Sequence, residues 1–180
     1  MNTTNKARLI KTVTAAVFCG LLCVLAPISL PLGPVPFTLT LFTITCICSV
    51  LGYTGIISTV LYVLIGVAGL PVFAGFKGGF GALMGQTGGF IAGYIVLAVF
   101  VAISAEKSKK TIWKMLFAFM GLICCYICGT LWFAHITGYG LQKVLTLSVF
   151  PFIIADTAKI AFAVFCGKKI KVIIEKITFD

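Results

Sequence analysis

The chain has 180 residues, of which 61% are hydrophobic and only 10% are charged, and its mean hydropathy is +1.18. Soluble domains are about half apolar and about a quarter charged, so this composition excludes an ordinary soluble enzyme or binding domain. It predicts an integral membrane protein. At about 20 residues a span, the chain holds about six membrane-spanning helices with short connections.

The apolar segments predict six helices, over about residues 12–30, 37–52, 56–70, 90–105, 112–133 and 147–166. The outer end of the first helix is broken by Pro27, Pro31, Pro34 and Pro36, because proline disfavours helix continuation. Within it, Ala16 and Gly20 form a small-xxx-small pattern that lets another helix approach closely. Packing inside the bundle is the alternative role for this pair. The expected fold is all-α, a single domain made of a six-helix transmembrane bundle.

Positive residues are divided unequally between the two sides of this six-helix path. One side receives eleven of them, namely Lys6, Arg8, Lys11, Lys107, Lys109, Lys110, Lys114, Lys168, Lys169, Lys171 and Lys176, and the other receives Lys77 and Lys143. Because lysine and arginine gather on cytoplasmic loops, the imbalance predicts that both termini are cytoplasmic. It also accounts for the net charge of +10 without a nucleic-acid partner.

A glycine-rich stretch over residues 70–89 separates the third and fourth predicted helices. Glycine permits left-handed backbone and close approach to a ligand, and the stretch is interleaved with apolar side chains, unlike a flexible linker. These features favour an ordered lid or pocket wall. Lys77 is followed by Gly78 rather than by Ser or Thr, and no strand pattern precedes it, so the stretch is not a P-loop.

Two opposite charges, Asp156 and Lys159, lie three residues apart in the last predicted helix. The i, i+3 spacing puts both side chains on one helix face. Charges inside a membrane are costly and usually mark a substrate, ion or proton site. The alternative is an ion pair with a purely structural role.

The other reactive residues give no pattern of a catalytic or metal site. The eight cysteines lie in or at the ends of apolar helices, where cysteine behaves as a small hydrophobe. Cys125 and Cys128 have CxxC spacing, but there is no second CxxC, and His135, the only histidine, is not at a zinc-site spacing from them. Without metalloprotease, serine-hydrolase or ATP-binding motifs, the chain is predicted not to be an enzyme and to need neither a metal nor a cofactor.

Several segments together resemble the BioY family of biotin transporters over nearly the whole length. They are Gly33-Pro34-Val35-Pro36-Phe37-Thr38-Leu39, Leu70-Pro71-Val72-Phe73-Ala74-Gly75, Leu83 to Gly93, Tyr126-xx-Gly129-xx-Trp132 and Pro151-Phe152-xxx-Asp156-xx-Lys159. BioY proteins are the six-helix substrate-binding S components of energy-coupling factor (ECF) transporters. The resemblance implies a multi-pass protein of the plasma membrane that captures biotin from outside. It also implies partners, a transmembrane scaffold subunit and ABC-type ATPases that drive release inward.

The resemblance also implies which residues bind the ligand and which bind the partner. The substrate-binding candidates are Asp156, Lys159, Gly75, Lys77, Gly78, Gly79, Thr87, Gly88, Tyr94 and Trp132. Asp156 is expected to accept from the ureido ring, and Lys159 to meet the carboxylate or lie beside it, although which charge meets which end of the ligand stays open. A membrane-interface anchor is the alternative role for Trp132. In the family, an Ala-xxx-Ala motif in the first helix docks on the scaffold, and Ala16 and Gly20 occupy those positions here.

Two other functions remain compatible with these residues. One is an S component for a different vitamin, which would keep the fold and change the pocket. The other is a self-sufficient small-solute transporter that needs no ATPase.

Overall fold

The computed structural model describes residues 3–108 and 110–179, and the side chains of residues 8–108 and 110–174. Lys109 lies outside the described residues, as do the side chains of Lys6 and Lys176. The described chain is mainly helical. Its helices are α1 (Thr3–Leu25), α2 (Thr40–Leu51), α3 (Tyr53–Val67), α4 (Phe80–Met84), α5 (Gly88–Lys107), α6 (Thr111–Thr137), α7 (Leu141–Ser148) and α8 (Ile153–Phe179), and its strands are β1 (Ser29–Leu30) and β2 (Phe37–Thr38).

The first predicted helix differs from the observed one at both ends. The sequence predicts a helix over residues 12–30, but α1 runs from Thr3 to Leu25. It ends there because Pro27 has no backbone N–H to continue the helical ladder. The chain then forms an antiparallel hairpin in which Ser29 pairs with Thr38, and Pro31, Pro34 and Pro36 occupy the connection between its strands.

The last predicted helix, 147–166, is divided in the structure. The short helix α7 is followed by a break at residues 149–152, and α8 continues at an angle of 52° to it. Pro151 lies in the break and disfavours helical backbone in the residue before it. At its other end α8 extends past residue 166 to Phe179, so the lysine-rich tail continues this helix.

Two helix pairs form the centre of the bundle. The antiparallel helices α5 and α6 approach closely because Gly93 faces Cys125 and Gly121 faces Leu97; an added Cβ would lie 2.8 Å and 2.9 Å from the facing atoms. In the other pair, α2 packs against α8, and the rings of Phe42 and Phe162 stack between the two helices. Fully buried aliphatic side chains fill the core between these pairs.

Among the described residues, three helical segments are long and apolar enough to cross a membrane: Arg8–Leu25, Gly88–Lys107 and Thr111–Thr137. The bent pair of α7 and α8 makes a fourth if it is one span. The apolar helices α2 and α3 have 12 and 15 residues, which is shorter than the roughly 17 residues of the shortest typical spans. The six-span bundle with cytoplasmic termini therefore stays a prediction.

The chain path gives the bundle two chemically different ends. The hairpin, the glycine-rich connection over residues 68–87 and the connection between α6 and α8 lie at one end. The start of α1, the turn at Gly52, the connection between α5 and α6 and the end of α8 lie at the other. Most of the lysines flank this second end.

Candidate ligand-binding site

A cavity opens at the end of the bundle that carries the hairpin and the glycine-rich connection. Its volume of about 60 Å³, counted as space for the centres of water molecules, is several times the roughly 10–15 Å³ that one water needs. Its lining combines apolar, hydroxyl and charged residues: Val35, Pro36, Phe37, Thr38, Thr40, Leu41, Tyr62, Phe73, Ala74, Lys77, Ala82, Thr87, Phe90, Ile91, Tyr94, Cys125, Tyr126, Ser148, Phe152 and Asp156. A mostly apolar cavity with a few convergent polar groups is typical of a small-molecule site.

The buried carboxylate of Asp156 is the main polar group of this cavity. Asp156 lies in the first turn of α8, where the helix dipole favours negative charge, and only 5% of the residue is exposed. The hydroxyl of Tyr126 donates to its Oδ2 at 2.7 Å, and the ammonium of Lys159 lies 2.9 Å from its Oδ1. Each carboxylate oxygen has a second lone pair, so Asp156 retains acceptor capacity for a ligand N–H.

Lys159 is held on three sides by groups of the protein. Its Nζ donates to the carbonyl oxygen of Thr38 at 2.7 Å and to Asp156 at 2.9 Å, and it lies 3.3 Å from the ring centroid of Phe37. The ring of Phe37 in turn stacks on Phe152 at 6.3 Å. Lys159 therefore connects α8 to the β2 strand, and it is not among the cavity-lining residues.

The glycine-rich connection begins with a tight turn that carries Lys77. Phe73 and Lys77 exchange backbone hydrogen bonds of 2.9 Å and 3.2 Å, and Gly75 and Phe76 between them adopt the left-handed φ values +70° and +57°. Left-handed backbone favours glycine, which explains Gly75 at this position. Gly78 follows the turn, and an added Cβ there would overlap the carbonyl oxygen of Leu70.

The rest of the glycine-rich connection is anchored on α6. The indole N–H of Trp132 donates to the carbonyl oxygen of Gly85 at 2.9 Å, and Gly88 and Gly89 pack directly against the Trp132 side chain. Thr87, next to this contact, lines the cavity. Trp132 thus supports the cavity wall that contains Thr87, without itself lining the cavity.

The structure brings together four of the ten candidate ligand residues as cavity lining: Lys77, Thr87, Tyr94 and Asp156. The six others lie behind this first layer. Lys159 partners Asp156, Trp132 supports the wall, and Gly75, Gly78, Gly79 and Gly88 shape the backbone. The ligand-facing role of these candidates, and of the four in the lining, stays a prediction.

Sequence reasoning missed the residues that hold the charged pair. Tyr126 belongs to the Tyr126-xx-Gly129-xx-Trp132 pattern and Phe37 to the proline-rich segment, yet neither was a candidate. The hydrogen bond of Tyr126 to Asp156 and the cation–π contact of Lys159 with Phe37 join segments that are 30 and more residues apart. A buried tyrosine needs a partner for its hydroxyl, and that requirement was the available signal.

The two docking candidates lie away from the cavity. Ala16 and Gly20 are exposed on α1, and no atom lies within 4 Å of a Cβ added at Gly20. Only 11% of the apolar segment of α1 is buried, compared with 61% for α5. In the part of the chain that the structure describes, α1 therefore presents an apolar face to its surroundings.

Comparison with known proteins gives concordant results. The sequence model of the BioY family matches residues 1–176. The biotin transporter BioY of Thermotoga maritima is 36% identical over 160 residues, which cover 88% of this chain and 94% of the relative. A probable biotin transporter BioY of Pyrococcus horikoshii is also 36% identical, over 157 residues that cover 87% and 93% of the two chains. These relatives are named as transporters rather than enzymes, in agreement with the absence of catalytic motifs.

A solved structure is similar over almost the full length. The S component for biotin from an ECF-type ABC transporter superposes with a TM-score of 0.86, covering 95% of this chain and 94% of that one. At 22% identity, this similarity establishes the shared fold.

Proposed function

This chain belongs to the BioY family, and we propose that it is a membrane subunit that binds biotin outside the cell and passes it inward. A transmembrane scaffold subunit and ABC-type ATPases would be its partners, because the structural neighbour is an S component of an ECF-type transporter. The names of the relatives support biotin as the substrate. The chain itself would bind and release the ligand without changing it chemically.

The observation that carries this proposal is the chemistry of the cavity. Biotin has a cyclic urea with two N–H donors, an apolar ring and chain, and a terminal carboxylate. The Asp156 carboxylate is a buried acceptor for a urea N–H, and Phe90, Tyr94 and Phe152 give the cavity apolar walls. A ligand without N–H donors would leave the remaining acceptor positions of this buried carboxylate without a partner, which disfavours its binding.

An outward-facing cavity is part of the same proposal. The cavity and the lysine-rich segments lie at opposite ends of the helical bundle, as the chain path requires. Positive residues favour the cytoplasmic side of a membrane, so this arrangement supports an external cavity and cytoplasmic termini. Residence in the plasma membrane belongs to the same proposal, because uptake from outside the cell requires it. A six-helix bundle follows if α2, α3 and the bent α7–α8 pair each cross the membrane together with α1, α5 and α6.

Docking through Ala16 and Gly20 completes the proposal. Small exposed residues on an apolar helix let a partner helix approach closely. The exposed α1 face of Val13, Val17 and Val24 surrounds them and supports a helical partner within the bilayer.

Ligand binding by the purified full-length protein in detergent tests this function. We expect isothermal titration to give tight biotin binding without ATPases, and a panel of other vitamins to raise the melting temperature far less than biotin does. Binding of another vitamin in preference to biotin would instead identify an S component of different specificity. Biotin uptake by liposomes that contain only this chain would identify a self-sufficient transporter.

A further inference from the structure

Two charged residues line the cavity, and they differ in depth. Asp156 is 5% exposed, whereas Lys77 is an exposed residue on the turn at the rim. Among the described residues, the cavity lining therefore combines a buried carboxylate, Asp156, with an exposed lysine, Lys77. A ligand with N–H donors at one end and an anion at the other fits this arrangement in one direction.

Lys159 has no donor left for a ligand anion. An ammonium has three N–H groups, and those of Lys159 meet the Thr38 carbonyl, the Asp156 carboxylate and the face of the Phe37 ring. Its charge is also neutralised by Asp156 at 2.9 Å. The base of the cavity consequently carries no net positive charge that would attract a carboxylate.

Lys77, in contrast to Lys159, has a fixed backbone and an ammonium without a partner among the described residues. Its backbone is fixed by the hydrogen bonds with Phe73, and the turn is tied to neighbouring segments through Gly75 N–H to the Pro27 carbonyl at 3.0 Å and Gly79 N–H to the Gly66 carbonyl at 2.7 Å. Within the described residues, the Lys77 ammonium makes no hydrogen bond or ion pair. A free charge on a positioned backbone is suited to binding an anion that arrives from outside.

We infer that Lys77 binds the carboxylate of the ligand at the rim of the cavity, while the urea ring lies at the base against Asp156. This inference rests on the proposed function, because it takes biotin as the ligand. It assigns Lys77 a role in specificity, since a ligand of the same shape without the anion would lose this contact. It also assigns Lys159 to holding Asp156 rather than to binding the ligand directly.

The test compares biotin with biotinamide, in which a neutral amide replaces the carboxylate and the ring system is unchanged. Dissociation constants are measured by titration for the wild-type protein, Lys77→Gln, Lys77→Arg and the control Lys143→Gln. Lys143 is also an exposed lysine of the same end, but it lies over the ring of Tyr139 and outside the cavity lining. We expect Lys77→Gln to weaken biotin binding roughly 2- to 5-fold, as for an exposed ion pair, and to leave biotinamide binding unchanged.

The other measurements distinguish failure of the Lys77 assignment from failure of the proposed function. Wild-type protein and Lys143→Gln should prefer biotin to biotinamide, Lys77→Arg should keep that preference, and added salt should reduce it. Equal effects of Lys77→Gln on both ligands, or no effect on either, would overturn the assignment of Lys77 while leaving biotin binding intact. Failure of the wild-type protein to bind either ligand would instead overturn the proposed function itself, and the assignment with it.

Discussion

The hydroxyl of Tyr126 on α6 donates a hydrogen bond of 2.7 Å to Oδ2 of Asp156 on α8. Because Lys159 binds the other carboxylate oxygen, the two donors together fix the plane of the Asp156 carboxylate. Both Tyr126 and Asp156 line the cavity. The carboxylate is therefore oriented before any ligand arrives, which reduces the ordering cost of binding.

Removing the Tyr126 hydroxyl should weaken biotin binding with little change in the apolar packing of the ring. We expect Tyr126→Phe to raise the dissociation constant roughly 2- to 10-fold, because the Asp156 side chain must then be ordered on binding, at a cost of about 0.5–1.5 kcal/mol. Titration calorimetry measures the change. Tyr139→Phe is the matched control, since Tyr139 is exposed and lies outside the cavity. Equal dissociation constants for Tyr126→Phe and wild type would contradict an orienting role.

The buried ion pair can be separated into its structural and ligand-binding contributions. Asp156→Asn leaves the Lys159 ammonium buried without a counter-charge, which should destabilise the protein by about 3–5 kcal/mol, as for other broken buried pairs. Replacing both residues by apolar ones of similar size is often neutral for stability. We therefore expect Asp156→Leu combined with Lys159→Met to melt above Asp156→Asn and to bind no biotin, with a remaining loss of at most about 1–3 kcal/mol because the Tyr126 hydroxyl loses its acceptor.

Thermal unfolding of the ligand-free proteins in detergent, followed by biotin titration, checks both parts. A stable double variant that binds biotin with wild-type affinity would reduce the pair to a structural role. The single variant Lys159→Met serves as the second control, because it leaves Asp156 unpaired and should lose stability like Asp156→Asn.

Trp132 should influence the rate of ligand release through the cavity wall. Trp132→Phe keeps an aromatic ring against Gly88 and Gly89 but removes the donor to the Gly85 carbonyl. The wall that contains Thr87 then loses a fixed contact, so we expect a faster dissociation rate for biotin. The factor should be about 2- to 10-fold, from a net contribution of about 0.5–1.5 kcal/mol for one neutral hydrogen bond.

Stopped-flow displacement of bound biotin measures this rate. Trp113→Phe is the control, because Trp113 is half-exposed near the start of α6, at the opposite end of that helix. A release rate that is the same in Trp132→Phe and Trp113→Phe would argue against support of the wall by Trp132.

The glycines of the connection differ in their tolerance of a side chain. Gly78→Ala would place a Cβ onto the Leu70 carbonyl oxygen, whereas Gly81→Ala meets no atom within 4 Å and adds a good helix former to α4. We expect Gly78→Ala to weaken biotin binding at least 10-fold by displacing the adjacent Lys77 turn, and Gly81→Ala to bind like wild type. Biotin titration of both variants, with melting temperatures as a folding check, measures the difference. Equal affinities would show that the turn adjusts without loss.

The sequence predicts the local features of this site and misses the tertiary ones. The i, i+3 spacing places Asp156 and Lys159 on one face, and the structure pairs them at 2.9 Å. The contact of Lys159 with Thr38, however, spans 121 residues and depends on how α8 packs beside α2. No spacing rule within a segment contains that information. The Tyr126 contact depends in the same way on the packing of α6 against α8.

The sequence predicts the positions of the helices better than their ends, because hydropathy does not determine where helical backbone stops. Hydropathy sets where a chain is apolar, but Pro27 and Pro151 determine where α1 and α8 can be helical. Thr3 and Phe179 lie in helices although lysines lie near both ends, because helical backbone continues beyond an apolar segment when no proline stops it; Gly167 lies inside α8 without ending it. The contact of Trp132 with the Gly85 carbonyl has no signal in the sequence, since every residue offers a backbone carbonyl, and the ligand-facing role of Trp132 stays a prediction.

Partner docking should be separable from ligand binding, because Ala16 and Gly20 lie on α1 and outside the cavity lining. We expect Gly20→Leu to bind biotin like wild type and to lose most of its association with the scaffold subunit, since a bulky side chain prevents close helix approach. The matched control is Ala158→Leu, which adds a similar side chain to an exposed position of α8. Co-purification with the scaffold and ATPases from cells, together with biotin uptake, measures docking, while titration measures binding. Undiminished co-purification of Gly20→Leu would place the docking surface elsewhere on the bundle, and loss of biotin binding in this variant would mean that α1 affects the cavity as well.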